Sequence, residues 1–128
     1  MTTELVMLAW AIILGLVHAG VNGQVTVAQH GVAYGLSPRD EKRPLTGVGA
    51  RIVRAFENYM TVFPFFAAAV LIAQAAGRHG WQTVWGAELF VAARVIYVFL
   101  YAAGIPGLRT LAFLASIAGI VLVLVGLL

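Results

Sequence analysis

Leu5-Val-Met-Leu-Ala-Trp10-Ala-Ile-Ile-Leu-Gly15-Leu-Val-His18-Ala-Gly-Val-Asn22-Gly-Gln-Val25-Thr-Val-Ala28 holds no Asp, Glu, Lys or Arg, and the charge-free run continues to Pro38. The hydrocarbon core of a bilayer is crossed by about 20 apolar residues in a helix. The stretch is therefore expected to be a membrane span over about 5–28. It reads as a retained span, because Met1-Thr-Thr-Glu4 lacks the basic start of a signal peptide and the apolar run exceeds the usual ~7–15 residues. Three more runs follow. Residues 37–47, Ser37-Pro-Arg39-Asp-Glu-Lys-Arg43-Pro-Leu-Thr-Gly47, form the only polar tract and the longest loop. A second span over about 48–76 ends at Gly77-Arg78-His79-Gly80, and a third over about 81–103 ends at Gly104-Ile-Pro106-Gly107. The fourth occupies about 108–128. The expected fold is all-α, an integral membrane four-helix bundle forming one domain over residues 1–128.

Composition agrees. Of 128 residues 62% are apolar and only 10% charged, against roughly 25% charged in an average soluble chain. Mean hydropathy is +0.95. So few charges cannot cover the surface of a soluble domain this small, which excludes an ordinary cytosolic enzyme, a nucleic-acid module and a disordered tail. The absence of cysteine excludes disulfides, thiolate zinc sites and a sulfur nucleophile of the protein's own. His18, His30 and His79 have no metal-ligand spacing, so no metal is expected. The net charge of +3 is better explained by basic loops at a membrane face than by nucleic acid. Arg39, Lys42, Arg43, Arg51, Arg54 and Arg109 fall on one side of the alternating spans and Arg78 alone on the other. The positive-inside rule then places the first and third loops in the cytoplasm and both termini outside.

Charged groups inside spans need a reason, since each costs ~2.5–3.5 kcal/mol at the bilayer centre on insertion scales. Arg51, Arg54, Glu57 and Asn58 share an arc of ~120° on the second helix. Such a stripe suits a bundle interior or a subunit interface, although Arg51 and Arg54 lie near enough to the helix end to snorkel. Phe90, Arg94, Tyr97 and Tyr101 share ~60° of the third helix, with Arg94 ~14 Å deep. At that depth Arg94 is expected to pair with a carboxylate, and Glu57 is the best-placed one. His18, Asn22 and Gln29 lie near one line of the first helix, where they can join helices by hydrogen bonds. Arg109 follows Pro106-Gly107 in the first turn of the fourth helix, an end that favours anions through its free N–H groups. Together with Arg51, Arg54, Thr110 and the two tyrosines it makes an anion pocket on one membrane face.

Two motifs then carry a resemblance. Arg51-Ile-Val-Arg54-Ala-Phe-Glu57-Asn58-Tyr-Met-Thr61-Val-Phe-Pro64 resembles the second-helix motif of the MAPEG family, the membrane-associated proteins in eicosanoid and glutathione metabolism. Arg94-Val-Ile-Tyr97-Val-Phe-Leu-Tyr101, with Ile105-Pro106-Gly-Leu-Arg109, resembles the third helix and following turn of the same family, in a small prokaryotic-type member. The resemblance implies a homotrimer in a bacterial inner membrane, with glutathione bound between adjacent subunits near the cytoplasmic face. By position Arg54 and Asn58 would hold glutathione with Arg51 close by, Tyr97 and Tyr101 would line its site, and Arg109 would stabilise the thiolate. Glu57 and Arg94 complete the expected binding set. The implied activity is a glutathione-dependent transferase or peroxidase acting on a lipophilic small-molecule substrate, an electrophile or hydroperoxide arriving from the bilayer, with membrane lipids around the protein. The alternative is a non-catalytic protein of the same fold that binds a lipid or a partner protein. Two departures stand out. Thr61 replaces the Glu of many glutathione-using members, with Glu57 one turn away as the nearest substitute, and Gln29-His30 stand where some members have arginine. A small multidrug transporter also has four spans, but such transporters carry a carboxylate deep in the first span, where this chain has only Glu4 at the terminus.

Overall fold

A computed structural model describes residues 1–128. It is all-helical: α1 (Thr3–His30), a short α2 (Val32–Leu36), α3 (Gly47–Ala76), α4 (Trp81–Ala102) and α5 (Pro106–Leu127). The four long helices are each long and apolar enough to cross a membrane. The first helix is longer than the expected 5–28, and α2 adds a turn of helix before the polar loop.

Local chemistry sets the helix ends. The Thr2 hydroxyl accepts from the Leu5 N–H at 3.4 Å, capping α1. Gly77 ends α3 in the left-handed conformation at φ 66°, where a side chain would be strained. Pro106 opens α5 at a position whose N–H has no helical partner. Pro64 lies on the exposed face of α3 and the helix continues through it.

The bundle core is aromatic and small. Phe66 of α3 stacks on Phe90 of α4 with ring centroids 4.0 Å apart, and the Tyr59 hydroxyl donates to the Ala11 carbonyl of α1. α4 and α5 approach backbone to backbone: a Cβ on Gly86 would lie 2.6 Å from the Gly119 carbonyl oxygen, and a Cβ on Gly119 equally close to that of Gly86. In lipid, where apolar burial gives no driving force between helices, such small-residue contact supplies the packing. Only 24 of 128 residues are buried, while Trp10, Leu16, Phe65, Phe99 and Leu111 are exposed. That surface suits acyl chains or another subunit rather than water.

Polar side chains fasten the helices to one another, as expected for His18 and Gln29. His18 Nε2 bonds the Ile52 carbonyl at 2.8 Å. The Gln29 amide both donates to and accepts from the Thr46 backbone at 3.0 Å, tying α1 to the start of α3. At the opposite end Glu4 is buried, accepting from the Thr83 hydroxyl at 2.6 Å and lying 3.2 Å from His79 Nδ1. Its placement in the first turn of α1 also complements the helix dipole.

Candidate functional site

At the end of the bundle that carries the long basic loop, α3 begins, α4 ends and α5 begins, so these three helix ends meet. Gly104, at φ 75°, lets the chain turn there, and Arg51 packs beside it, its Nε donating to the Ala102 carbonyl at 3.1 Å. Arg51 thus satisfies one of the carbonyls left unpaired at the end of α4.

One turn further along α3, Arg54 reaches across to α4, where its Nε donates to the Tyr101 hydroxyl at 3.3 Å. Arg109, from the first turn of α5, lies over the Tyr101 ring at 4.4 Å from its centroid. Tyr101 therefore gathers two guanidiniums, one on its hydroxyl and one on its face, and Tyr97 stands edge-on to it with centroids 5.6 Å apart. Beside them opens a cavity of about 270 Å³ lined by Asn58, Tyr97, Tyr101, Arg109, Thr110 and Phe113. The Thr110 hydroxyl donates to the Pro106 carbonyl at 3.0 Å, which leaves its oxygen free to accept.

Arg94 lies beneath this cavity, fully buried. Its guanidinium packs on Tyr97 at 4.1 Å and more loosely against Tyr59 at 5.5 Å. Its Nη1 donates to Asn58 Oδ1 at 2.8 Å. The expected pairing with Glu57 is not formed: Glu57 is exposed, and no ion pair joins it to Arg94. Asn58, the next residue round the helix, faces α4 instead, so the cation is met by an amide oxygen and two aromatic faces. One consequence is directional. With its Oδ1 engaged by Arg94, Asn58 has its amide N–H groups left to donate.

The structure thus brings Asn58, Tyr97, Tyr101 and Arg109 to one cavity, sets Arg54 on Tyr101 at its edge, and connects Arg94 to it through Asn58. It does not bring Arg51 or Glu57 into the cavity wall. Arg51 is engaged by the α4 terminus, and Thr61, near Glu57 on the exposed side of α3, turns its hydroxyl to the Glu57 carbonyl at 2.9 Å. Phe113 belongs to the site although it was not singled out from the sequence. Its spacing of four from Arg109 was the available signal, since such residues stack on one helix face.

Chemically the arrangement offers permanent positive charge, an amide donor and two phenols around a partly enclosed space, with no nucleophilic sulfur and no metal-ligand cluster. Guanidiniums and free amide N–H groups of this kind pair with anionic groups. No curated protein and no solved structure gives a significant match to the chain. A family model does: that of the MAPEG family matches residues 5–128. The match takes in all four spanning helices, so this integral, multi-pass membrane protein belongs to the MAPEG family.

Proposed function

We propose that the protein is a membrane-bound glutathione-dependent transferase or peroxidase acting on lipophilic electrophiles, with Arg109 stabilising the glutathione thiolate. The observation that carries this reading is the convergence of Arg54 and Arg109 on Tyr101 at the edge of a cavity that also includes Asn58. The donor set fits the group. Glutathione carries two carboxylates and an ionisable thiol, and when bound it would supply the nucleophilic sulfur that this chain lacks. Arg54 uses one N–H on Tyr101 and keeps the others for a carboxylate. Asn58, its oxygen fixed by Arg94, presents N–H groups to the same ligand. Arg109 sits at the start of α5, where the helix adds its own positive end to the guanidinium, so negative charge is stabilised there by both. The Tyr101 ring holds that guanidinium in place, so little reorganisation is needed when charge develops. The glutathione ammonium needs an acceptor, and Glu57, the one carboxylate of α3, lies outside this cavity wall and would serve a ligand held between neighbouring subunits.

The reading includes a homotrimer with the first and third loops in the cytoplasm of a bacterial inner membrane. Glu57 supports the assembly. It lies about 15 Å along α3 from Gly47 and is exposed in the single chain. A carboxylate that faces lipid within a span is costly, whereas a neighbouring subunit can cover it.

The test is Arg109→Ala. Carboxylate contacts carry most of the ligand affinity, so glutathione should bind within about tenfold of wild type, or ~1.4 kcal/mol. Turnover of a generic aryl halide at neutral pH should fall ~100-fold or more, as when one preorganised charge stabiliser is removed. Raising the pH should partly restore it, because hydroxide then ionises the thiol. A wild-type protein with neither thiolate absorbance nor turnover, yet still binding lipid, would rule out the enzyme and leave a non-catalytic member of the family.

A further inference from the structure

A second cavity, of about 440 Å³, lies between the C-terminal half of α1, Val53 of α3 and the long basic loop. It shares no lining residue with the cavity at Tyr101. Its mouth is cationic. Arg43 lies 4.9 Å over the Tyr34 ring, and the Tyr34 hydroxyl accepts from the Arg43 backbone N–H at 3.1 Å. Arg39 is held by a 3.1 Å bond from its Nη2 to the Gly35 carbonyl. Each guanidinium is positioned with N–H groups to spare, since the other bond Arg43 makes is a 3.4 Å contact with the exposed Glu41. Deeper in, the wall is small and apolar at Ala19, Gly23 and Val53. Ala19 lies ~16 Å along α1 from His30. Between the two ends, Asn22 Oδ1 and His30 Nε2 are buried without any hydrogen-bond partner.

A positive mouth at the membrane edge, unpartnered polar atoms below it and an apolar floor reaching into the bilayer match the order of groups in an amphiphile. A soluble anion would use the mouth alone. We propose that this cavity binds one anionic phospholipid per chain. Its phosphate sits between Arg39 and Arg43, against the part of the wall that His30 forms. Its ester groups face the Asn22 amide, which can present oxygen or nitrogen, and an acyl chain lies along Gly23 and Ala19. The proposal does not depend on glutathione chemistry at the other cavity.

The test is native mass spectrometry of the delipidated full chain in neutral detergent, titrated with phosphatidylglycerol, phosphatidylcholine or inorganic phosphate. One phosphatidylglycerol per chain is expected, bound at least about tenfold more tightly than phosphatidylcholine. Arg39→Gln with Arg43→Gln should weaken it by about tenfold or more, whereas Lys42→Gln should weaken it by less than about twofold. Lys42→Gln removes one positive charge from the same loop, as Arg39→Gln or Arg43→Gln does singly, but at a residue outside the cavity. Gly23→Leu keeps every charge and narrows the floor. A Cβ there meets nothing within 4 Å, so the helix tolerates it, and phosphatidylglycerol binding should be lost. Equal weakening by Lys42→Gln and by either single arginine variant would mean diffuse surface attraction and overturn the site. Equal binding of the two lipids would overturn the anionic preference. Inorganic phosphate competing at the lipid's own concentration, with Gly23→Leu without effect, would make the ligand a soluble anion instead.

Discussion

Replacing Asn58 by Leu tests the most unusual feature of the core, a fully buried guanidinium with no carboxylate. Arg94 has one hydrogen-bond acceptor, Asn58 Oδ1 at 2.8 Å, and its Nε and Nη2 have none. Leucine has nearly the same shape as asparagine, so the substitution removes the acceptor without opening a large cavity. A hydrogen bond to a charged group contributes about 1.5–3 kcal/mol. Stranding the cation pushes the loss toward the roughly 3–5 kcal/mol seen when a buried pair is broken. The faces of Tyr97 and Tyr59 remain, and a desolvated cation–π contact is worth roughly 2 kcal/mol. Asn58→Leu should therefore cost about 3 kcal/mol. Arg94→Met keeps the apolar stem and removes the charge, while the freed Asn58 can turn to the cavity, so its cost should be nearer 1–2 kcal/mol, roughly that of an imperfect core repacking. The double variant should be more stable than Asn58→Leu alone, with a coupling of about 2 kcal/mol. Glu57→Gln, which touches no cation within the chain, should change stability by less than about 0.5 kcal/mol. Detergent-solubilised protein unfolded by heat and followed by tryptophan fluorescence reads all four. Additivity of the two single variants, or a loss in Glu57→Gln matching that of Asn58→Leu, would refute the pairing and restore the carboxylate as Arg94's partner.

Three further outcomes are expected. A reporter at the C-terminus that fluoresces only in the cytoplasm should stay dark, and a bright signal would reverse the orientation. Gly86→Val should destabilise by about 1–3 kcal/mol, since it overpacks the α4–α5 contact against backbone; unchanged thermal unfolding would show that the helices can separate without loss. Cross-linking in native membranes should give a three-chain species, and Glu57→Lys should weaken it. Single chains only, at every cross-linker concentration, would remove the trimer and with it the cover for Glu57.

Sequence by itself determined the architecture. Four apolar runs broken at Gly77–Gly80 and Gly104–Gly107 are each long enough for a spanning helix and lack the short polar–apolar alternation of barrel strands, and a helix satisfies each backbone polar group within its own segment. Sequence also marked Arg54, Asn58, Tyr97 and Tyr101, since helical periodicity places charged and phenolic groups on shared faces, and Arg109, by its place in the first turn of the fourth helix. What periodicity cannot settle is which of two neighbouring residues faces the partner helix. Glu57 and Asn58 are 100° apart on α3, and only the packing of α3 on α4 decided that the amide meets Arg94 and the carboxylate faces outward. Nor could spacing show that Arg51 is engaged by the end of α4, because that depends on how the turn at Gly104 folds back. The cavity under the basic loop was equally hidden. The loop's charges read as a topology signal, and only the tertiary structure set Arg39 and Arg43 at the mouth of a cavity floored by Ala19 and Gly23, because residues distant along the chain become one wall only when the loop packs against α1.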